Sequence, residues 1–344
     1  EPICVSATGV TYSVASPPAT ETYGGPTQYI WTVPAGWTIT GGQGTRQITV
    51  NIGGSSGTQT VSVVREYETN PKCQSNPTTL NVTVVPESVG GTISGNTSSC
   101  SGSDIGTLTL SNHLGSIVQW ERRLGTSGPW TIIANTTNTL SGQQLFSIGT
   151  WYYRVLVQNS PCSSTYSAEF GVTVVAAPTG GTTSGGSGTV CYGTSTGNIT
   201  ASGFSGTLVG WQRSNNGGSS WTNIVSTANP FSEVSPSAGT WLYRAVIRRL
   251  PCSDAYSTPT QVIVDPATDP GSLLINYYYS ERSICEGSST GTLRLSGYVG
   301  TILNWERSHN GGAYVDIGNG GNTNFYETLS TPGTYRYRVK VQSG

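Results

Sequence analysis

The sequence has little of what catalysis or charged partners require. Its 344 residues include no Met, two Lys, two His and a charged fraction of only 10%, with a net charge of −1. Without a cluster of basic residues, nucleic acid and anionic membrane surfaces are not expected as partners. Because no stretch of 18 apolar residues occurs, we predict no direct membrane insertion by this segment.

Long helices are also not expected. The 46 Gly and 18 Pro interrupt the chain at short intervals, and both residues disfavour helix interiors. Short alternating runs of Val, Thr and aromatic residues indicate β-strands instead. A hydrophobic fraction of 35%, with 9 Trp and 18 Tyr, suffices for packed cores. The sequence therefore predicts an all-β protein.

An internal repeat organises most of the chain. A Trp follows each of three cysteines by twenty residues, and each repeat later carries the motif Gly-Thr-aromatic-x-Tyr-Arg. The cysteines are Cys100, Cys191 and Cys285, the tryptophans Trp120, Trp211 and Trp305, and the motifs begin at Gly149, Gly239 and Gly333. We predict four domains, called blocks 1 to 4: 1–86, 87–176, 177–266 and 267–344. By register, the second cysteine of block 4 is expected near position 346, so we expect this to be a segment of a longer protein.

Each block has the pattern of an immunoglobulin-like β-sandwich, with a Trp on an early strand and an aromatic-x-Tyr on a late one. The fold class is thus a tandem array of such sandwiches, joined by short Pro-containing linkers that favour a semi-rigid rod. Alternation on the late strand places Tyr153, Val155 and Val157 inward. The predicted core aromatic residues are Trp31, Trp120, Trp211, Trp305, Trp151, Trp241 and Tyr335.

Seven cysteines stand near the starts and ends of the blocks, which is typical of disulfides in an oxidising compartment. Pairing within blocks gives Cys4–Cys73, Cys100–Cys162 and Cys191–Cys252, with the partner of Cys285 outside the segment. Pairing across each linker gives Cys73–Cys100, Cys162–Cys191 and Cys252–Cys285. Within-block pairing is preferred, but cysteine parity cannot separate the two.

The sequence offers no candidate catalytic residue, metal ligand or cofactor site. No Cys-x-x-Cys occurs, and His113 and His309 fall in different repeats, which argues against zinc and against a nucleophile–base pair. Glu121 and Glu306 recur beside the core Trp and are expected to face solvent. We predict that the segment is not an enzyme.

Two further groups have alternative interpretations. Arg122, Arg213 and Arg307 follow the core Trp by two residues and are expected to stack on aromatic rings or form ion pairs, rather than bind a ligand. The run Tyr277-Tyr278-Tyr279 breaks the repeat. It is expected to form an edge strand against the preceding domain, with a ligand-binding patch as the alternative.

The repeats resemble a known class of secreted proteins. The run from Gly90-Gly91-Thr92 to Gln119-Trp120-Glu121, together with Gly217–Ile224 and the Tyr-Arg strand, is similar to tandem repeats of giant cell-surface adhesins of Bacteroidota. Block 1 resembles their PKD-like domains through Trp31–Trp37 and Gly42–Thr45. The resemblance implies type IX secretion, gliding motility as a context, and a location on the extracellular side of the outer membrane.

The function expected on these grounds is that of a non-catalytic stalk in a bacterial adhesin or fibre. Its expected partners are further repeats of the same chain, with surface polysaccharide or other copies of itself as additional candidates. One alternative is a spacer or carbohydrate-binding region of a secreted polysaccharide-degrading enzyme. Another alternative is a self-assembling extracellular filament.

Overall fold

A computed structural model describes residues 1–16, 26–68 and 72–343. Within these residues all regular secondary structure is β-strand, which confirms the predicted all-β fold. The described part of the chain has no helix long and apolar enough to cross a membrane. The molecule divides into two compact units, Glu1–Ala176 and Ala177–Gly344.

Block 1 contains two sheets that enclose one core. Its strands are β1 (Ile3–Cys4), β2 (Val10–Ser13), β3 (Gln28–Thr32), β4 (Thr38–Gly41), β5 (Gln47–Asn51), β6 (Gly57–Tyr67), β7 (Cys73–Gln74) and β8 (Thr78–Val85). One sheet has the order β1-β8-β6-β3, with β7 paired to β6, and the other has the order β2-β5-β4. The core includes Tyr29, Trp31 and Trp37.

Block 2 has the strand arrangement that recurs in the rest of the chain. Its strands are β9 (Thr92–Ser94), β10 (Ser98–Cys100), β11 (Leu108–Ser111), β12 (Ser116–Leu124), β13 (Thr131–Ile133), β14 (Thr139–Leu140), β15 (Gly149–Gln158), β16 (Thr165–Tyr166) and β17 (Phe170–Val175). The larger sheet has the order β10-β17-β15-β12-β13, with β16 on β15, and the smaller has the order β14-β11-β9.

Blocks 3 and 4 repeat this plan. Block 3 comprises β18 (Thr182–Gly185), β19 (Thr189–Cys191), β20 (Ile199–Ser202), β21 (Thr207–Ser214), β22 (Thr222–Ile224), β23 (Gly239–Arg248), β24 (Ala255–Tyr256) and β25 (Thr260–Asp265). Block 4 comprises β26 (Ser272–Ile275), β27 (Leu293–Ser296), β28 (Thr301–His309), β29 (Val315–Gly318), β30 (Asn324–Phe325) and β31 (Tyr335–Gln342).

A fully buried Trp forms the centre of each repeat. Trp120, Trp211 and Trp305 are all 0% exposed. Their indole N–H groups donate to the backbone carbonyls of Thr137, Ala228 and Asn322, each at 2.9 Å. Burying an indole is favourable only when its N–H finds an acceptor, so this bond fixes the loop that crosses beneath the Trp.

The first aromatic residue of the late strand occupies a corner rather than the middle of the core. Trp151 and Trp241 donate from the indole to the carbonyls of Ser147 and Ser237 at 3.1 and 2.9 Å. The Tyr335 hydroxyl donates to the Thr331 carbonyl at 3.0 Å. Trp241 is buried, whereas Trp151 and Tyr335 are only half-buried. Tyr335 therefore does not join the core as expected, since its ring stacks on His309 with ring centroids 4.4 Å apart.

Candidate functional site

A disulfide joins block 1 to block 2. Cys4 lies on β1, which runs parallel to β8 and places Cys4 beside Val85. Cys162 lies in the turn that follows β15, and its sulfur is bonded to that of Cys4. The bridged residues are 158 positions apart in sequence, with Cα atoms separated by 5.0 Å. Cys4, Cys100 and Cys191, which stand beside the end of a block's last strand, are called strand-end cysteines; Cys162 and Cys252 are called turn cysteines.

Both predicted disulfide registers are wrong. Cys4 bonds to Cys162, which excludes Cys4–Cys73, Cys100–Cys162 and Cys162–Cys191. Cys191 and Cys285 are exposed free thiols, which excludes Cys191–Cys252 and Cys252–Cys285. Cys100 and Cys252 are also disulfide-bonded.

The reason lies in the sheet register. Cys100 pairs with Val175, the last residue of β17. The residue before it, Val174, pairs with Gly149, which is the first residue of β15. Cys162 lies four residues beyond Gln158, which is the opposite end of this ten-residue strand. A ten-residue strand spans about 33 Å, whereas a disulfide needs Cα atoms within about 7 Å. The two cysteines of one block therefore cannot meet.

Side-chain hydrogen bonds surround the bridge and fix the linker. The Asn159 amide donates to the Pro86 carbonyl at 2.8 Å, and the Asn159 backbone N–H donates to the Ser88 hydroxyl at 2.8 Å. That hydroxyl donates in turn to the Ser163 carbonyl at 2.7 Å. Val89 and Leu114 exchange two backbone hydrogen bonds of 3.1 and 2.9 Å. The linker is thus bonded along its length to block 2.

The linker between blocks 3 and 4 is held in the same way. The Ser343 hydroxyl donates to the Pro266 carbonyl at 2.8 Å, and its backbone N–H donates to the Thr268 hydroxyl at 3.1 Å. Asp269 and Val299 exchange backbone hydrogen bonds of 3.3 and 2.9 Å. These four residues repeat the roles of Asn159, Ser88, Val89 and Leu114, so the clamp is a property of the repeat.

The inward arginine of each repeat has a structural role. In block 3, Arg213 forms an ion pair with Glu233 at 2.6 Å and lies 5.6 Å from the Trp241 ring centroid. The Tyr243 hydroxyl donates to the second Glu233 oxygen at 2.9 Å. Block 4 repeats this triad with Arg307, Glu327 and Tyr337. This arrangement matches stacking and ion pairing, the preferred interpretation from the sequence.

Block 2 departs from the triad because Gln143 replaces the glutamate. Arg122 donates to the Gln143 amide oxygen at 2.9 Å, and the Tyr153 hydroxyl is buried with no hydrogen-bond partner among the described residues. Burial raises the pKa of Tyr153, and the nearby Arg122 guanidinium opposes that rise. Burial also raises the pKa of Tyr243 and of Tyr337, with their hydrogen-bonded glutamates as the second cause.

In blocks 2 and 3 a second arginine lies between two aromatic rings on the outer face of the larger sheet. The Arg154 guanidinium lies 4.0 Å from the Trp130 centroid and 3.7 Å from the Tyr166 centroid. Arg244 lies between Trp221 and Tyr256 at 3.9 and 4.0 Å. Such contacts add stability to an exposed sheet face.

The prediction that Glu121 faces solvent is wrong. Its side chain is only 6% exposed and pairs with Arg154 at 2.7 Å, and it also accepts from Gln119 and Tyr166 at 2.6 and 3.2 Å. The flat arginine–aromatic stack covers the carboxylate, which alternation along the strand does not reveal. Glu306 pairs with Arg338 and is 17% exposed.

The three tyrosines of block 4 form a turn and not an edge strand. Ile275 donates to the Tyr279 carbonyl at 2.7 Å, which closes the turn directly after β26. Asn276 and Tyr277 have φ of 47° and 71°, a left-handed conformation that is uncommon for a bulky residue. Tyr277, Tyr278 and Tyr279 are 55%, 83% and 57% exposed. They therefore present an aromatic surface to solvent.

The described residues do not bring a candidate metal-binding cluster together. No three His, Cys, Asp or Glu side chains stand in a group that could hold a metal ion, within ranges 1–16, 26–68 and 72–343. The Asp269 carboxylate accepts from the Gly271 backbone N–H at 2.8 Å and so closes a turn. His309 stacks on Tyr335.

Sequence reasoning missed the residues that complete these sites. Glu233 and Glu327 follow their arginines by twenty residues and precede their tyrosines by ten, a spacing that the repeat alignment contains. Asn159, Ser343, Ser88 and Thr268 carry no sequence pattern of their own. They form their hydrogen bonds only where the linker between two blocks contacts the second block.

Comparison with protein-family models identifies two kinds of domain. Residues 89–176, 179–266 and 276–344 match a model described as Domain of unknown function (DUF8696). Residues 1–84 match a model described as PKD-like domain. No sequence among the curated proteins matches the chain.

Several solved multidomain structures are similar to this chain over most of its length. The I67–I69 fragment of titin is 8% identical, with 78% of this chain and 95% of that chain covered and a TM-score of 0.39. The ectodomain of mouse nectin-like molecule 4 is 11% identical, with 80% and 99% covered and a TM-score of 0.34. The FN1–FN3 domains of chicken CNTN1 are 12% identical, with 74% and 92% covered and a TM-score of 0.26. At these values the likenesses carry no argument about function.

Proposed function

The chain belongs to the family Domain of unknown function (DUF8696), whose model matches three of its four blocks, and from this premise we propose that it is a load-bearing, non-catalytic stalk segment of an extracellular adhesin or fibre. The observation that carries the proposal is the clamped joint. A disulfide and side-chain hydrogen bonds hold block 1 to block 2, and the same hydrogen bonds recur between blocks 3 and 4.

The position of the bridge suits a chain under tension. A force applied at Glu1 and Gly344 passes through the bond between Cys4 and Cys162. Residues 5–161 lie inside the covalent loop that this bond closes, and in a chain without the disulfides of Cys100 and Cys252 the bond shields them from that force. The bridge also closes a long loop in the unfolded chain, which stabilises a folded protein by up to about 5 kcal/mol in the chain-entropy treatment.

Single-molecule force spectroscopy on the full chain tests this role. Because Cys100 and Cys252 are also disulfide-bonded, the measurement is made in a chain that carries Cys100→Ser and Cys252→Ser. In that chain the Cys4–Cys162 bridge should shorten the fully extended length by the 158-residue separation, which is roughly 520–570 Å at 3.3–3.6 Å per residue. Adding Cys4→Ser and Cys162→Ser should regain that length and let blocks 1 and 2 unfold under load. Equal extended lengths with and without the bridge would contradict the proposal.

We further propose that the parent protein is exposed on the outer surface of a bacterium, in the manner of the gliding-motility adhesins exported by type IX secretion. The disulfides support an oxidising, extracellular setting. Antibodies against the chain should label intact cells, and protease added outside should remove the label. Labelling that requires permeabilised cells would contradict this placement.

The exposed tyrosine turn favours a second candidate, a carbohydrate-binding spacer in a secreted polysaccharide-degrading enzyme. Three adjacent rings stand open to solvent at Tyr277–Tyr279, and Arg294 lies 4.5 Å from the Tyr277 centroid. Affinity electrophoresis in gels containing neutral polysaccharides measures this directly. Retardation that Tyr278→Ala abolishes, with Tyr326→Ala as a control at another exposed tyrosine, supports binding. Unretarded migration in every polysaccharide rejects it.

A further inference from the structure

The strand-end cysteine of block 3 occupies the same place as the bridged Cys4. Cys4 pairs with Val85, Cys100 with Val175 and Cys191 with Asp265, in each case in parallel at the last residue of the block's final strand. The carbonyl of each cysteine also accepts the backbone N–H of the residue three positions later. Cys4 and Cys100 are disulfide-bonded, whereas Cys191 is an exposed free thiol.

The turn that would carry a partner cysteine begins close to Cys191. In the joint of blocks 1 and 2, Asn159 donates to the carbonyl of Pro86, which follows Val85, the neighbour of Cys4. In the joint of blocks 3 and 4, Ser343 donates to the carbonyl of Pro266, which follows Asp265, the neighbour of Cys191.

The turn after the late strand has the same geometry in both repeats that contain it. The N–H of Cys162 donates to the Asn159 carbonyl at 2.9 Å, and that of Cys252 to the Arg249 carbonyl at 2.8 Å. Each turn cysteine therefore lies three positions after the first residue that follows the strand, Asn159 or Arg249. Ser343 is the residue in that place in block 4.

We propose that Cys191 is a covalent attachment site for a turn cysteine of this repeat class, presented three positions after Ser343. The partner chemistry is a thiol on the turn that follows β31. The inference rests on the proposed load-bearing role of the joints and extends it, since the joint of blocks 3 and 4 would then be closed by the same kind of bond as the joint of blocks 1 and 2.

The bond requires an oxidant. The Cys191 thiol and the partner thiol together lose two electrons and two protons as the S–S bond forms. A disulfide oxidant, such as oxidised glutathione, accepts both electrons and both protons and becomes two thiols. The exchange proceeds through attack of a thiolate on the oxidant and then of the second thiolate on the mixed disulfide.

An extended chain tests the proposal. Pro-Cys followed by the sequence of residues 163–176 is added after Gly344, and the protein is oxidised with glutathione, alkylated and mapped under non-reducing conditions. The expected result is a peptide linking Cys191 to the added cysteine, with loss of Cys191 alkylation. Cys285, which is also exposed, should remain alkylated.

Two matched controls define the geometry. An extension with Ser in place of the added Cys should leave Cys191 alkylated. An extension with three Gly inserted before Pro-Cys should also leave it alkylated, because the thiol is then out of register. If near-ultraviolet circular dichroism shows that the long extension perturbs the fold, the dipeptide Pro-Cys alone is added.

Three results would overturn the proposal: alkylation of both Cys191 and the added cysteine, a bond between the added cysteine and Cys285, or a bond between two chains. None of them involves Cys4 or Cys162. A failure here therefore leaves the force measurement on the bridge between blocks 1 and 2 intact, and the two proposals can fail separately.

Discussion

Gln143 leaves a buried hydroxyl without an acceptor, which makes it the clearest target for a stabilising substitution. The equivalent residues Glu233 and Glu327 accept from Tyr243 and Tyr337. We expect Gln143→Glu to stabilise block 2 by about 1 kcal/mol, because a charged acceptor then serves both Arg122 and Tyr153. Hydrogen exchange of the β15 amides measures this block by itself, which a global melt of several domains does not.

The reverse change in block 3 is the matched control. Glu233→Gln reproduces the block 2 arrangement and should destabilise block 3 by about 1 kcal/mol, since both partners are partly exposed and the ion pair is weakened by solvent. If both substitutions destabilise their blocks, the triad does not explain the difference between the repeats.

The buried tyrosines make block 3 sensitive to alkaline pH. The pKa of Tyr243 is raised above its ordinary value of 10.0, first by burial and then by Glu233. In the unfolded chain this hydroxyl ionises near pH 10, while in the folded block it remains protonated. The unfolded state therefore binds fewer protons above that pH, and stability falls as the pH rises further.

We expect Tyr243→Phe to remove part of this alkaline loss. Absorbance of tyrosinate follows the titration. The variant should have one fewer tyrosine in the late-titrating group, which consists of the tyrosines that ionise well above pH 10. Tyr278→Phe is the control for the loss of a tyrosine hydroxyl at a position that is 83% exposed, and it should leave the alkaline loss of stability in block 3 unchanged. Loss of an early-titrating tyrosine in Tyr243→Phe would contradict the assignment.

At the scale of strands, the arginine between two rings joins β15 to β16 in block 2 and β23 to β24 in block 3. The charges beneath the two stacks differ. Arg154 pairs with the buried carboxylate of Glu121, whereas Arg244 contacts the neutral amide of Gln212 at 2.8 Å. Removing the guanidinium leaves a buried unpaired charge in block 2 alone.

We therefore expect Arg154→Leu to cost block 2 roughly 1–2 kcal/mol more than Arg244→Leu costs block 3. Amide exchange in β15 and β23 gives the two values within one molecule. Combining Arg154→Leu with Glu121→Gln should remove most of the difference. Equal losses for the two single variants would show that stacking, and not charge, dominates.

Much of the fold could be predicted from the alternation of inward-facing and outward-facing residues along each strand. In β15 the sequence places Tyr153, Val155 and Val157 on one face, and all three are 0% exposed. The same alternation fails beside them, because long side chains such as Arg154 fold over their neighbours and bury Glu121. The tyrosine turn escaped prediction since two residues adopt a left-handed conformation that β propensity does not anticipate.

At the scale of the whole molecule, the cysteines show that dividing a sequence into domains is not enough to predict its disulfide pairing. Both predicted registers paired cysteines that are neighbours along the chain. The bond between Cys4 and Cys162 instead connects block 1 to block 2 across the linker between them. Cys4 reaches that linker only because β1 pairs in parallel with β8. Joints, rather than domains, determine the disulfides.

The linker offers a direct test of the joint in the intact protein. Glu87 is exposed, while the adjacent Ser88 is bonded to Ser163 and Asn159. A glutamate-specific protease should cleave after Glu87 slowly in the unaltered chain. Cleavage should be faster in Asn159→Ala, because a clamped linker cannot adopt the extended conformation that a protease active site requires. Ser127→Ala is the control for nonspecific loosening, because Ser127 is exposed in the turn after β12, at the opposite end of that strand from Ser116, which pairs with Gln158.

The cleaved molecule then tests the covalent bond. After a cut at Glu87, the fragment that contains Cys4 should remain attached to the rest of the chain, because Cys162 lies beyond the cut. A reductant should release it, as should the Cys162→Ser variant without reductant. Release of the fragment from the oxidised, unaltered chain would mean that Cys4 is not bonded across the joint, and the load path that we propose would no longer hold.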